Sequence, residues 1–562
     1  MSDDPHGLPE PTPAVHPQIA RYHAKLEAEA GLARVGRRTW SAMGFGGNIN
    51  FIEGDDGVII VNTGSFVEWT RQARDAFREI CDKPFVAVIY THGYSDHTGG
   101  VRALIPPGEE AGVEIYANGV WRAYVGQATS PMQPEVIMRG AAQLGWLLPQ
   151  GEDASVGSAL SRYMPSLGST SYLAPTVSVD AVTRVTIAGV EMELIPAPHD
   201  LDDGLMVWMP DEKLLFGGDT LLPGGMYPTI ATPRFEPRRD PQKWVETMGL
   251  AASYGAEYYI GAYGSYFMGA DVIRNKLVGQ QKLSQYLIDE TARLIFEGVP
   301  SEAIAERVTI PPALMEGQDF NDLYHQLWWI TRSLIAREFG WFSGDPLDYV
   351  RLPRTERAQH MVADMGGADK VRARAADAYR GGAHRWALEL ATALLAIDVQ
   401  DARARDIRIK SLKAIAYDTS STNTRNFLLT SVALETGALS RDALLRAFRG
   451  KAPADSALLR PPARVLDMIG PRLRREMATG APFTARFLVE DRDVTLDITL
   501  VDGVMLRDDG GREPDIVLAS SYADFIRGAE NMTPFAELES AGAVRVVKGR
   551  EQFDRLIGAF DW

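Results

Sequence analysis

Apolar positions along the chain change their period twice, and each change marks a different kind of block. Between about residues 35 and 268, short runs rich in β-branched and aromatic residues alternate with amphipathic stretches. Segments 49–53, 58–62 and 86–90 read as buried strands bounded by turn residues, whereas 69–81 repeats its apolar residues at helical spacing. Two later runs, 190–196 and 213–218, read as strands opening into loops. From about 271 to 436 the helical period takes over, as in 280–291 and 386–395, with paired helices beginning near Gly366. Beyond about Pro453 the period returns to two. Segments 484–489 and 494–500 alternate as hairpin strands, Asp502-Gly503 is a turn, 519–526 is helix-like, and a strand over 544–549 precedes a final helix. The expected organisation is a polar leader (1–34), an α/β block (35–270), an all-helical block (271–436) and an α+β block (437–562).

Length supports several units, because 562 residues exceed what one hydrophobic core serves. Charged residues at 23% and hydrophobic residues at 45% are ordinary globular usage. The net charge of −16 argues against a nucleic-acid partner and repels anions at long range, so recognition of an anionic group needs a local cationic pocket. The single cysteine, Cys81, excludes a disulfide framework and a thiolate zinc site. The acidic, proline-rich start lacks a secretion-signal pattern and no apolar run is long enough to span a membrane. A cytoplasmic protein with no membrane span is expected. Segment 120–170, with Trp121, Met132, Met138 and Trp146, reads as an insertion that walls a cleft.

The densest chemistry follows the 86–90 strand, in Thr91-His92-Gly93-Tyr94-Ser95-Asp96-His97. Imidazole and carboxylate groups this closely spaced on a strand-end turn converge readily on a cation. The run resembles the signature loop of the metallo-β-lactamase fold, His-x-His-x-Asp-His, with Tyr94 in place of the second histidine. That resemblance implies an αββα sandwich and further ligands at later strand ends: His199 after 190–196, with Asp200, Asp202 and Asp203 nearby, then Asp219 as a bridging carboxylate. Where it implies a last histidine, the chain has Tyr263. The implied metal set is therefore His92, Asp96, His97, His199 and Asp219, with Asp96, Tyr94 and Tyr263 as candidate catalytic side chains. One three-ligand zinc site is chemically reasonable; two complete sites each lack an imidazole.

Two readings of the tyrosines stay open. As phenolates they bind metal, at a cost of roughly 4 kcal/mol for ionisation at pH 7, which ferric iron offsets better than zinc. As neutral phenols they fill histidine-shaped space and donate hydrogen bonds. Zinc, one or two ions, is the expected cofactor, with iron as the alternative.

Across nearly its whole length the chain resembles the metallo-β-lactamase-fold alkylsulfatases. The similarity rests on 47–54, 91–100, Gly218-Asp219, Tyr227-Pro228, 334–346 and 423–431. It implies a catalytic domain, a helical homodimerisation domain whose paired helices resemble tetratricopeptide hairpins, and a sterol-carrier-protein-like C-terminal domain. The implied reaction is hydrolysis of a lipophilic alkyl sulfate to alcohol and sulfate by a water whose pKa a metal lowers. Arg234, Arg238 and Arg239, with Arg425 as a fourth, are candidates for binding the sulfate, because a guanidinium fork gives two parallel hydrogen bonds. Two alternatives remain: a retuned enzyme of the same scaffold acting on another ester, by elimination or with iron, and a non-catalytic lipid-binding relative.

Overall fold

The computed structural model describes residues 7–120, 133–163, 168–233, 238–449, 458, 460–508, 511–530 and 533–561. Arg234, Trp121 and Met132 lie outside these residues.

Two sheets face each other in the first half of the chain. The seven-stranded sheet runs in sequence order: Gly31–Arg34, Thr39–Met43, Ile49–Glu53, Val58–Val61, Phe85–Ile89, Glu114–Asn118 and Val177–Val179. The six-stranded sheet is ordered Phe267–Met268, Tyr258–Gly261, Leu214–Gly218, Leu205–Met209, Val190–Pro196 and Thr183–Ile187. Between them lie Ile52, Ile59, Val61, Ala87 and Ile89 from one sheet and Met192, Leu194, Val207, Leu214 and Phe216 from the other. The outer faces are apolar too, so each needs a helical cover. Helix Val67–Arg78 covers the first, where the Phe77 and Phe51 rings stack at 4.3 Å. Helices Pro241–Ser253 and Ala270–Phe296 cover the second through Ala251, Ile273 and Leu277. The layers are thus α, β, β, α.

The leader expected over 1–34 contains helix Pro17–Glu29 and the edge strand Gly31–Arg34 of the first sheet. Upstream of that helix, Leu8 is buried among the later helices, and Lys410 and Tyr379 donate to the carbonyls of Leu8 and Pro9. The helical region packs Ala368–Arg380, His384–Ile397, Ala402–Asp418 and Thr422–Glu435 successively as hairpins. The last unit is a five-stranded sheet in the order Val504–Asp508, Val494–Val501, Phe483–Val489, Ile516–Ser520, Val544–Lys548, with helices including Tyr522–Ala529 and Phe553–Gly558 packed on it. The helix expected over 519–526 begins only at Tyr522, because Ile516–Ser520 pairs in parallel with the first hairpin strand and its residues are all buried. Among the described residues, no helix is long and apolar enough to cross a membrane.

Candidate metal centre

Loops leaving one edge of the sandwich bring the candidate side chains together. Strand Phe85–Ile89 delivers His92 and the one-turn helix Ser95–Thr98; Val190–Pro196 delivers His199; Leu214–Gly218 and the parallel Tyr258–Gly261 deliver Asp219 and Tyr263. Gly218 has φ of +55°, and a Cβ there would lie 2.7 Å from His199 Nε2, so only glycine admits both the turn and the imidazole.

His92, His97 and Asp219 form one cluster whose donor atoms all lie within 4.8 Å of one another. His92 Nε2 is 3.7 Å from Asp219 Oδ2, and His97 Nε2 is 3.6 Å from Asp219 Oδ1. All three side chains are buried, and both ring nitrogens of His92 and Asp219 Oδ1 have no hydrogen-bond partner. Buried polar atoms without partners cost free energy, and these converge on one point. Burial, followed by His97 and His199, holds His92 well below the ordinary imidazole range, and burial lowers His97 despite Asp96 and Asp200. Both rings are therefore neutral, as ligation requires. Burial, with Asp200 and Asp96 adding to it, holds the Asp219 carboxyl well above the usual carboxylate range. Two imidazoles with a carboxylate are a donor set that fits one cation.

Asp96 and His199 stand beside the cluster: Asp96 is held by Tyr263, while His199 Nε2 is buried without a hydrogen-bond partner. Tyr263 Oη donates to Asp96 Oδ2 and lies 3.5 Å from His97 Nε2. Burial, then Asp219 and Asp96, pushes the Tyr263 phenol far above its ordinary pKa, so it is a neutral donor in this setting. His199 Nδ1 accepts the Asp200 amide at 2.7 Å, and burial, then His97 and Arg239, pushes this imidazole down to about 3. The Tyr94 ring sits edge-on to His92 with centroids 5.1 Å apart.

Of the candidate arginines, the three among the described residues have partners within the chain. Arg238 bonds to Asp202 and lies 3.5 Å from Asp203. Arg239, buried over Trp244, donates to the carbonyls of Thr229 and Asp200 and to the Asp200 carboxylate. Arg425 is fully buried and donates to the carbonyls of Ala14, Ala416 and Glu152, tying the helical region to two other segments. Its expected sulfate role gives way to a structural one, since the side chain is fully buried and three carbonyls hold its two terminal nitrogens.

Two asparagines were not visible as site residues in the sequence. Asn62 has φ of +61°, a conformation asparagine tolerates; its side chain exchanges hydrogen bonds with Thr91, whose hydroxyl lies 3.5 Å from His97 Nδ1. Asn48 Nδ2 donates to the carbonyls of Gly261 and Gly264 at 3.0 and 2.9 Å, gripping the loop that carries Tyr263. An asparagine directly after an apolar run was the available signal for Asn62; nothing local marks Asn48.

Residues 42–261 match the metallo-beta-lactamase superfamily model and residues 301–437 the model for alkyl sulfatase dimerisation. A linear primary-alkylsulfatase of Pseudomonas sp. (strain ATCC 19151) is 28% identical over 522 residues, covering 91% of this chain and 98% of the relative. The chain is a metallo-β-lactamase-fold protein homologous to the alkylsulfatases. An (R)-specific secondary-alkylsulfatase from Pseudomonas sp. is 27% identical, over 88% of this alkylsulfatase homologue and 75% of the relative. The structure of the stereoselective inverting sec-alkylsulfatase Pisa1 from Pseudomonas sp. superposes with a TM-score of 0.84 at 24% identity, covering 98% of this chain and 87% of that one, a likeness of fold. What sets this homologue apart is its three-residue cluster in place of a two-zinc ligand set.

Proposed function

We propose that the chain hydrolyses a lipophilic alkyl sulfate to the alcohol and hydrogen sulfate, consuming one water, with zinc held by His92, His97 and Asp219. The observation that carries this reading is the buried cluster of partnerless donors on a chain similar to alkylsulfatases over nine-tenths of its length. When bound, the ion supplies Lewis acidity that lowers the pKa of water toward neutrality.

The chain's own residues supply the rest. The Asp96 side chain is 24% exposed, the least buried carboxylate touching His97, and is placed to accept the proton of the attacking water at Oδ1. Tyr263 orients it by donating to Oδ2. Tyr94 walls the His92 side. Arg234 and the partly exposed Arg238 are the candidates to bind the sulfate. The apolar tail lies between the 120–170 wall and the C-terminal unit, read as a sterol-carrier-like module. The domains divide as 1–34, 35–270, 271–436 and 437–562, and the protein works in the cytoplasm as a homodimer. Support for the dimer comes from the matched dimerisation region, which displays Trp341, Tyr349 and Val350 at 70–73% exposure.

The test is sulfate release from linear and secondary alkyl sulfates by zinc-loaded protein, with Asp219→Ala as control and ¹⁸O-water to locate the bond broken. Wild-type turnover that the variant loses supports the reading, and no release from any alkyl sulfate refutes it. The Tyr94 and Tyr263 phenols favour a second reading, a retuned reaction on the same scaffold with zinc or iron. Restoring histidine at both positions separates the two: a gain in sulfatase activity supports the first, and loss of a native activity the second.

A further inference from the structure

We infer that this chain holds one ion per chain and that Asp96, taken by Tyr263 as a hydrogen-bond acceptor, stays off that ion. The inference rests on the reading of His92, His97 and Asp219 as the metal centre.

The geometry around Asp219 is that of a single focus. Its two oxygens face different imidazoles, Oδ2 toward His92 and Oδ1 toward His97, at 3.7 and 3.6 Å. A second ion would have to share His97 or Asp219 and recruit Asp96. That approach is blocked by an oxygen already there. Tyr263 Oη contacts Asp96 Oδ2 and His97 Nε2 together, so the phenol stands between the two groups that a second ion would join. Asp96 Oδ1 is left 3.7 Å from His97 Nε2.

The phenol cannot swing aside cheaply, because one loop fastens both partners. Asn48 donates through its side chain to Gly261 and Gly264 and through its amide to Ala262 at 2.7 Å, on either side of Tyr263. The preceding Gly47, at φ of +130°, backs onto Asp96 so closely that a Cβ would lie 2.4 Å from the Asp96 carbonyl oxygen.

The experiment uses full-length protein loaded with zinc and gel-filtered. Metal content is measured by elemental analysis and affinity by competition with a chromophoric chelator, for wild type, Asp96→Asn, Asp219→Asn and the Tyr94→His/Tyr263→His double variant. Expected are one zinc per chain in wild type, an affinity within threefold of wild type for Asp96→Asn, at least a hundredfold loss for Asp219→Asn, and a second zinc in the double variant. Circular dichroism confirms that each variant is folded. Two zinc ions in wild type, or a tenfold or greater loss of affinity in Asp96→Asn, overturns the inference and leaves the metal centre standing. No zinc in wild type overturns both.

Discussion

Replacing Asn48 tests whether the loop grip, rather than the metal ligands alone, holds the centre together. Asn48 is 2% exposed and its amide nitrogen bridges the carbonyls of Gly261 and Gly264 at 3.0 and 2.9 Å. Asn48→Ala removes two buried hydrogen bonds, each contributing about 1 kcal/mol net, and strands two acceptors whose desolvation adds to the loss. The sum is about 2–4 kcal/mol. For a block of this size that is roughly 5–15 °C in the melting transition. Asn48→Asp costs more, since a carboxylate oxygen then faces two carbonyl oxygens in a buried site. Scanning calorimetry of the full chain should rank wild type above Asn48→Ala above Asn48→Asp. Alkyl sulfate turnover should fall in the same order as Tyr263 loses its fixed position beside Asp96. The reasoning is refuted if both variants melt within 1 °C of wild type, or if aspartate is as stable as alanine.

Three further outcomes follow from the same structure. Stripping zinc with a chelator should lower the melting temperature of wild type, by an amount equivalent to about 2.7 kcal/mol relative to free metal at a hundredfold excess over Kd, and should leave Asp219→Ala unmoved; equal shifts in both would place the metal elsewhere. His23 is buried and its imidazole is pushed down from 6.5 to about 4 by burial alone, so below pH about 6.5 the unfolded chain binds its proton first. Stability should therefore fall as pH drops from 6.5 to 4, by about 3 kcal/mol in total from this group, and His23→Phe should flatten that limb of a urea-denaturation profile by one proton's slope. Trp341→Ser with Val350→Ser should shift the protein from dimer to monomer in light scattering without changing its circular dichroism; a wild type that is already monomeric refutes the assembly.

Local sequence determined the elements and much of the ligand inventory. Alternation of period two and period 3.6 separates the sheets from the helical block because side-chain direction repeats with backbone geometry. His92 and His97 belong to one short loop after the same strand, so their closeness is a short-range property written in Thr91 to His97. The boundary of the helix at Tyr522 was not local: Ile516–Ser520 is a strand because its neighbour supplies a parallel partner. Partner choice was likewise beyond the sequence. Arginines at 238, 239 and 425 read alike as cationic, yet carboxylates and carbonyls from distant segments occupy them, Arg425 reaching from the helical region to Ala14 and Glu152. Five metal-type residues stand in the sequence, but which of them share a point depends on hydrogen bonds spanning more than 150 residues, such as Tyr263 to Asp96 and Asn48 to Gly264. Residue type sets what a side chain can donate or accept; only the folded chain decides which neighbour takes it, because a buried polar group bonds to whatever the packing leaves within about 3 Å.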